Sequence, residues 1–260
     1  MTGMGAERLR DVPLSRLRSR LLPCRSVDQS TLDVLAADPR RGARQLAARL
    51  RRRAEKELRE KERLLTLERE LWKSGYNRVA GIDEAGRGPL AGPVVAAAVI
   101  FTPGTFLPGV NDSKKLSASK REQLYEEILK RAVTVGIGVV GENEIDRTNI
   151  LAATFKAMRE ALGRLSVPQD CVLVDGCELP ECASCQRAVP GGDARCFSIA
   201  AASIVAKVTR DRIMIAHDRH FPEYGFAHHK GYSTAEHRAA LDRYGPCLLH
   251  RRSFTWKRDA

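Results

Sequence analysis

The stretch Val79-Ala80-Gly81-Ile82-Asp83-Glu84-Ala85-Gly86-Arg87-Gly88-Pro89 decides how the rest of the chain is read. Its first four residues are a short apolar run of the kind that forms a buried strand, and the run ends in acid. A second run, Cys171-Val172-Leu173-Val174, ends the same way in Asp175-Gly176. Carboxylates at the tips of neighbouring buried strands are held stiffly beside one another, and a divalent cation resolves their repulsion. Neighbours on a strand point to opposite faces, so Asp83 and Glu84 share one site only if the strand ends there and the turn redirects Glu84. Gly86-Arg87-Gly88 then offers bare backbone and one cation to an incoming oxygen. Acid for metal, with cation and open backbone for phosphate, reads as a nuclease site.

The bulk numbers agree with a polyanionic partner. The chain has 260 residues, with 44 Lys and Arg against 32 Asp and Glu, a formal charge of +12, and a pI near 9.7. Such an excess suits nucleic acid, with a merely basic enzyme as the plainer reading. An apolar fraction of 43% is enough for a real core. No apolar segment follows the first basic residues as a secretory signal would, and the longest apolar run, 94–101, is too short to span a bilayer. Seven cysteines, an odd number, fit a reducing cytosol better than a disulfide framework. These features imply a cytoplasmic protein without a membrane partner, and a monomer is the default.

Residues from about Pro39 to Trp72 differ in character from everything after them. Between Arg40 and Arg63 there are eleven basic and four acidic residues. Leu46, Leu50, Ala54 and Leu58, continued by Leu64, Leu67 and Leu71, predict one apolar stripe along a charged helix. Such a helix either packs through its leucines or also tracks phosphates with its charged face. Ser74-Gly75 marks a boundary, giving a basic helical extension over 1–75 and a catalytic domain over 76–260. The second part is an α/β domain. Strands are expected at about 78–83, 93–101, 133–140 and 171–174, and helices at about 120–131, 144–165 and 199–216. Ser119 and Glu122 have capping-box spacing at the first of these helices.

Several segments resemble ribonuclease HII. They are VAGIDEAGRGPLAGPVVAAA (79–98), Asn111 to Leu116, Val172 to Gly176, AASIVAKVTRD (201–211), HKGYST (229–234) and His250-Arg251-Arg252-Ser253-Phe254. The resemblance implies a ribonuclease H-like mixed sheet flanked by helices. It also implies an endonuclease that cuts the RNA strand of RNA–DNA hybrids and nicks duplex DNA 5′ of an embedded ribonucleotide. The metal-binding carboxylates it implies are Asp83, Glu84, Asp175 and a fourth acid for which Asp193 and Asp211 compete. Asp193, ten residues before Ser203, is chosen; Asp211, four after Lys207, reads as an ion-pair partner. The family's Lys-Gly-Asp is here Gly191-Gly192-Asp193, a departure beside the site. The resemblance further implies that Gly86, Arg87 and Gly88 contact the 2′-hydroxyl and that Tyr232 packs on the sugar. Lys114 and Lys230 are expected on phosphates. Two divalent ions, Mn²⁺ or Mg²⁺, would leave a 5′-phosphate and a 3′-hydroxyl.

Two rival functions stay open on sequence alone. One is another metal-dependent nuclease of the same fold superfamily, which would have no need of a 2′-hydroxyl sensor. The other is a non-catalytic basic nucleic-acid-binding protein whose acids are salt-bridge partners. Cys177, Cys182, Cys185 and Cys196 contain one CxxC, but the other spacings fit no regular zinc pair, so free thiols in a variable loop are expected. The C-terminal Lys257-Arg258-Asp259-Ala260 carries no docking motif for a polymerase clamp.

Overall fold

The computed structural model describes residues 9, 11–24 and 26–255, so the C-terminal expectation at 257–260 lies outside the described residues. By compactness the chain divides into Met1–Glu62 and Arg63–Ala260.

The first unit holds α1 (Leu14–Leu21), α2 (Gln29–Ala36) and most of α3 (Arg41–Leu64). Leu17, Leu32, Leu35, Leu46 and Leu50 form its core. Arg40 pins this unit by donating to both oxygens of Asp38 and to the carbonyls of Val12 and Leu9. The expected stripe is interrupted: Ala54 is exposed and Leu58 is 57% exposed, while Leu64 is buried. Only the ends of α3 find apolar partners, because the charges in its middle favour water on every side.

The second unit begins with α4 (Thr66–Lys73), followed by a five-stranded mixed sheet. Its strands are β1 (Val79–Ala85), β2 (Val94–Ile100), β3 (Thr134–Val140), β4 (Cys171–Asp175) and β5 (Cys185–Val189), ordered β3-β2-β1-β4-β5. The pairs β1–β2 and β2–β3 are antiparallel, and β1–β4 and β4–β5 are parallel. The helices are α5 (Ala118–Arg131), α6 (Glu142–Arg147), α7 (Ile150–Gly163), α8 (Phe197–Asp218), α9 (Phe226–His229) and α10 (Ala235–Tyr244).

Each face of the sheet is covered. Ala97 and Val99 pack on Phe197, Ala201, Ile204 and Val205 of α8, while Ile82, Ala96 and Ala98 meet Ala153, Ala157 and Met158 of α7. Both contacts are close enough to require glycine. A Cβ on Gly81 would lie 2.2 Å from the carbonyl carbon of Ser198, and one on Gly138 would lie 1.9 Å from the oxygen of Ala157. Helix α8 starts without a side-chain cap of its own. Glu68 of α4, 2% exposed, supplies it by accepting from the backbone N–H and hydroxyl of Ser198, placing negative charge at a helix N-terminus.

Three expectations need correction. The single helix expected over 144–165 is two, because Asn149 turns out of helical conformation and caps the amide of Ala152. The cap of α5 is Ser117, accepting from Lys120, rather than Ser119. The cysteine-rich segment is also not only a loop, since Cys185–Val189 forms β5. That strand escapes a hydrophobic-run criterion because it is an edge strand with a polar, alternating face.

Candidate active site

The parallel register of β1 and β4 builds the site. Its last pair is Ile82 with Val174, so Asp83 and Asp175 each come next on adjacent strands. Asp83 is 5% exposed and accepts from the amide of Glu84 at 2.7 Å. Asp175 accepts from the amide of Gly192 at 2.6 Å, which ties the turn carrying Asp193 to the tip of β4. Asp193 is buried, and the ammonium of exposed Lys114 lies 3.8 Å away. The structure therefore brings Asp83, Glu84, Asp175 and Asp193 to one rim of the sheet. Asp211 instead pairs with Lys207 at 2.8 Å.

Strand β1 does not end at Asp83. Glu84 still pairs with Ala96 and Ala85 with Val95, so no turn redirects Glu84. The two neighbours stay on opposite faces of β1, and β4 pairs with β1 only as far as Ile82, leaving the edge of β1 at Asp83 and Glu84 without a strand partner on that side. Glu84 lines the cleft with Asp83 on one side and faces Phe155, Met158 and Asp175 on the other. Arg87 holds it at 3.4 Å.

The electrostatics are those of crowded acids without enough cations. Burial, then the charges of Glu84 and Asp175, hold the Asp83 carboxyl well above the ordinary carboxylate range. Glu84 is raised by burial against the lowering pull of Arg87. Asp193 is raised by burial and then by Asp112 and Asp175, with Lys114 opposing. Hard oxygen donors that repel one another suit Mg²⁺ or Mn²⁺ rather than a soft metal. Among the described residues no three His, Cys, Asp or Glu side chains stand in a group able to hold an ion as they are, so a cation would have to draw these carboxylates together. The cysteines are free thiols, with the sulfurs of Cys171 and Cys185 3.0 Å apart across β4 and β5.

Beside the acids lies a cleft of about 370 Å³, lined by Gly86, Arg87, Gly88, Lys114 and Tyr232 among others. Gly86 has φ +101° and a Cβ there would strike the guanidinium of Arg210 at 2.2 Å, whereas Gly88 faces open space. Tyr232 is 40% exposed and lies over the ammonium of Lys207, 5.2 Å from the ring centre. Lys230 is not among the lining residues. Its backbone is left-handed, and its ammonium donates to the carbonyl of Ala227 at the end of α9.

Two contributors escaped the sequence reading. Ser203 donates to Ser113 at 2.7 Å in the buried floor of the cleft, tying α8 to the turn that carries Lys114. Asp112 caps that turn by accepting from the amide of Lys114 and bears on Asp193. An Asp before a Ser reads locally as an ordinary cap, so only its spatial neighbour marks it.

The chain is similar to known proteins of one family over most of its length. The family model described as Ribonuclease HII matches residues 80–257, and the one described as Ribonuclease HII N-terminal domain matches 15–72. The ribonuclease HII of Syntrophotalea carbinolica is 55% identical over 75% of this chain and 93% of its own length. That of Geobacillus kaustophilus is 49% identical over 92% of this chain and 93% of its own. Among solved structures, ribonuclease H2 from Pyrococcus horikoshii is similar with a TM-score of 0.58 at 28% identity, covering 68% of this chain and 93% of that one. The chain in the PCNA:RNase HII complex from Archaeoglobus fulgidus gives 0.59 at 27%, covering 70% and 98%.

Proposed function

Because this chain belongs to the ribonuclease HII family, we infer that it is a metal-dependent endoribonuclease that cuts the RNA strand of RNA–DNA hybrids and nicks duplex DNA on the 5′ side of an embedded ribonucleotide. The observation that carries the reading is the convergence of four carboxylates on the sheet rim beside the Gly86-Arg87-Gly88 loop. Asp83, Glu84, Asp175 and Asp193 would hold the divalent ions, with Mn²⁺ or Mg²⁺ matching their oxygen donors. When bound, such ions activate a water for in-line attack and stabilise the leaving 3′-oxygen, leaving a 5′-phosphate and a 3′-hydroxyl.

The chain's own groups supply recognition. Open backbone at Gly86, Arg87 and Gly88 meets the 2′-hydroxyl, which is what separates RNA from DNA at a single position. The half-exposed ring of Tyr232 packs on the sugar. Lys114 contacts a phosphate, and Lys230 does so after releasing Ala227. A labelled DNA duplex with one ribonucleotide, incubated with Mg²⁺, Mn²⁺ or EDTA, tests the reading. One nick 5′ of the ribonucleotide, absent with EDTA and on all-DNA duplex, is expected; tight binding without cleavage would return the protein to the non-catalytic class. The protein acts as a monomer in the cytoplasm, and among the described residues no helix is long and apolar enough to cross a membrane.

The raised carboxyls give a pH-dependent prediction. In the metal-free fold they keep protons that the unfolded chain has released. They therefore stabilise the fold at low pH and lose that contribution as pH rises through their raised values. Cations replace those protons, so the melting-temperature gain from Mn²⁺ over EDTA should be larger at about pH 8 than at about pH 5. Buried His237 and His250, both lowered to about 4, act in the opposite sense but equally with and without cation. A gain independent of pH would remove the carboxylates as ligands.

Residues 1–75 serve as a substrate-gripping extension and 76–260 as the catalytic domain, a division supported by the change of family model between 72 and 80. Leu64, Leu65, Glu68 and Leu71 are buried within the second compact unit, so a deletion that spares the core must stop at Glu62. Removing 1–62 should raise KM for a hybrid and flatten its salt dependence while leaving kcat unchanged, because it removes phosphate contacts and no chemistry. An unchanged KM would leave the extension without a role in grip.

A further inference from the structure

Two arginines distant in sequence are buried directly behind the Gly86-Arg87-Gly88 loop. Arg251 is 1% exposed and Arg210 is fully buried. A buried guanidinium normally takes a carboxylate partner; these two take backbone carbonyls instead. Arg251 donates to Gly86 at 2.6 Å, Arg87 at 3.0 Å, Pro89 at 2.8 Å and Gly92 at 2.7 and 2.9 Å. Arg210 donates to Ala91 at 3.0 Å, Pro93 at 2.9 Å and Lys230 at 3.0 Å. Nothing in the metal chemistry needs either residue.

Peptide geometry makes this arrangement consequential. In a trans peptide the C=O and the next residue's N–H point in opposite directions, and no cis peptide occurs among the described residues. Turning the carbonyls of Gly86 and Arg87 inward onto Arg251 therefore turns the amides of Arg87 and Gly88 outward, where both residues line the cleft. Among the described residues neither amide donates a hydrogen bond within the protein. They are two free donors on a loop whose carbonyls at Gly86, Arg87 and Pro89 are engaged from behind. We propose that Arg251, supported by Arg210, is the positioning residue of the ribose-sensing loop, fixing the peptide planes that present the Arg87 and Gly88 amides and placing buried positive charge behind them. This deepens the ribonuclease reading and rests on it. The loop's grip on a 2′-hydroxyl is set by C-terminal residues, since the bond from the Arg251 amide to Leu90 at 2.8 Å fastens the same segment to the same loop.

The test uses the full chain on DNA duplex carrying one ribonucleotide with Mn²⁺. Arg251→Lys keeps the charge but cannot span the carbonyls of Gly86, Arg87, Pro89 and Gly92. It should stay folded at the assay temperature and bind all-DNA duplex with unchanged Kd, yet lose about 100-fold in kcat on the ribonucleotide duplex, the cost of a small misplacement at a reacting centre. Arg210→Lys should show the same pattern more weakly, so the outcome does not depend on one substitution folding. Arg251→Ala should regain activity with millimolar methylguanidinium, a recovery that a general loss of structure would not give. Wild-type kcat in folded Arg251→Lys, or activity that falls only in proportion to folded protein and is not restored by methylguanidinium, would overturn the proposal. A wild-type protein that leaves every ribonucleotide substrate intact would instead overturn the ribonuclease reading itself.

Discussion

Asp175→Asn is expected to give a folded protein that binds hybrid and does not cut it. The amide oxygen can still accept from Gly192, so the turn carrying Asp193 stays attached to β4. What disappears is one of the charges that would hold the cations, and kcat should fall on the order of 10³-fold, as when a stabilising group is removed from a preorganised site. The same change should raise the melting temperature in EDTA, because Asp175 is one of the charges pressing on Asp83, Glu84 and Asp193. This opposition of stability and activity is the mark of a site whose strain serves its chemistry. Steady-state cleavage and a melt in EDTA check it. Near-normal turnover would remove Asp175 from the site, and a lower melting temperature would show its charge to be structural.

Gly81→Ala should be a strongly damaging small substitution in the sheet, and one that reaches the site. The new methyl would meet the backbone of Ser198 and Ile199 at 2.2 to 2.4 Å, and backbone atoms cannot rotate away as a side chain can. Overpacking of this kind costs about 3 kcal/mol, or roughly 10 °C in melting temperature for a domain of this size. Activity should fall further than stability explains, because Gly81 and Asp83 lie on the same face of β1, two residues apart. The displacement of α8 would pass to Asp83. A thermal melt beside an assay at a temperature where the variant is fully folded separates the two effects. Wild-type melting would mean that α8 sits further from β1 than the structure has it.

Strands β1, β2 and β4 are legible as apolar runs, because a strand buried on both faces needs no polar alternation, and β3 is legible because its half-exposed face is apolar as well. The residues that carry the family resemblance fall on the loop and strand tips that line the cleft. The misses share a cause. Strand β5 is polar on one face, the break at Asn149 is a cap inside a continuous helical pattern, and Ala54 and Leu58 keep helical spacing without a partner to cover them. In each case periodicity reported what the local chain permits, and packing settled what occurred.

Residue type and short-range order suffice for the α/β class, the family, and the acids and glycines of the site. Which acids meet is a matter of packing. The parallel register sets Asp83 beside Asp175, the hydrogen bond from Gly192 brings Asp193 to them, and Lys207 claims Asp211. Packing also turns Lys230 back onto Ala227 and buries Arg210 and Arg251, more than a hundred residues downstream, behind the glycine loop. Register, burial and hydrogen-bond partnership between distant segments are properties of the packed chain, and no local pattern encodes them.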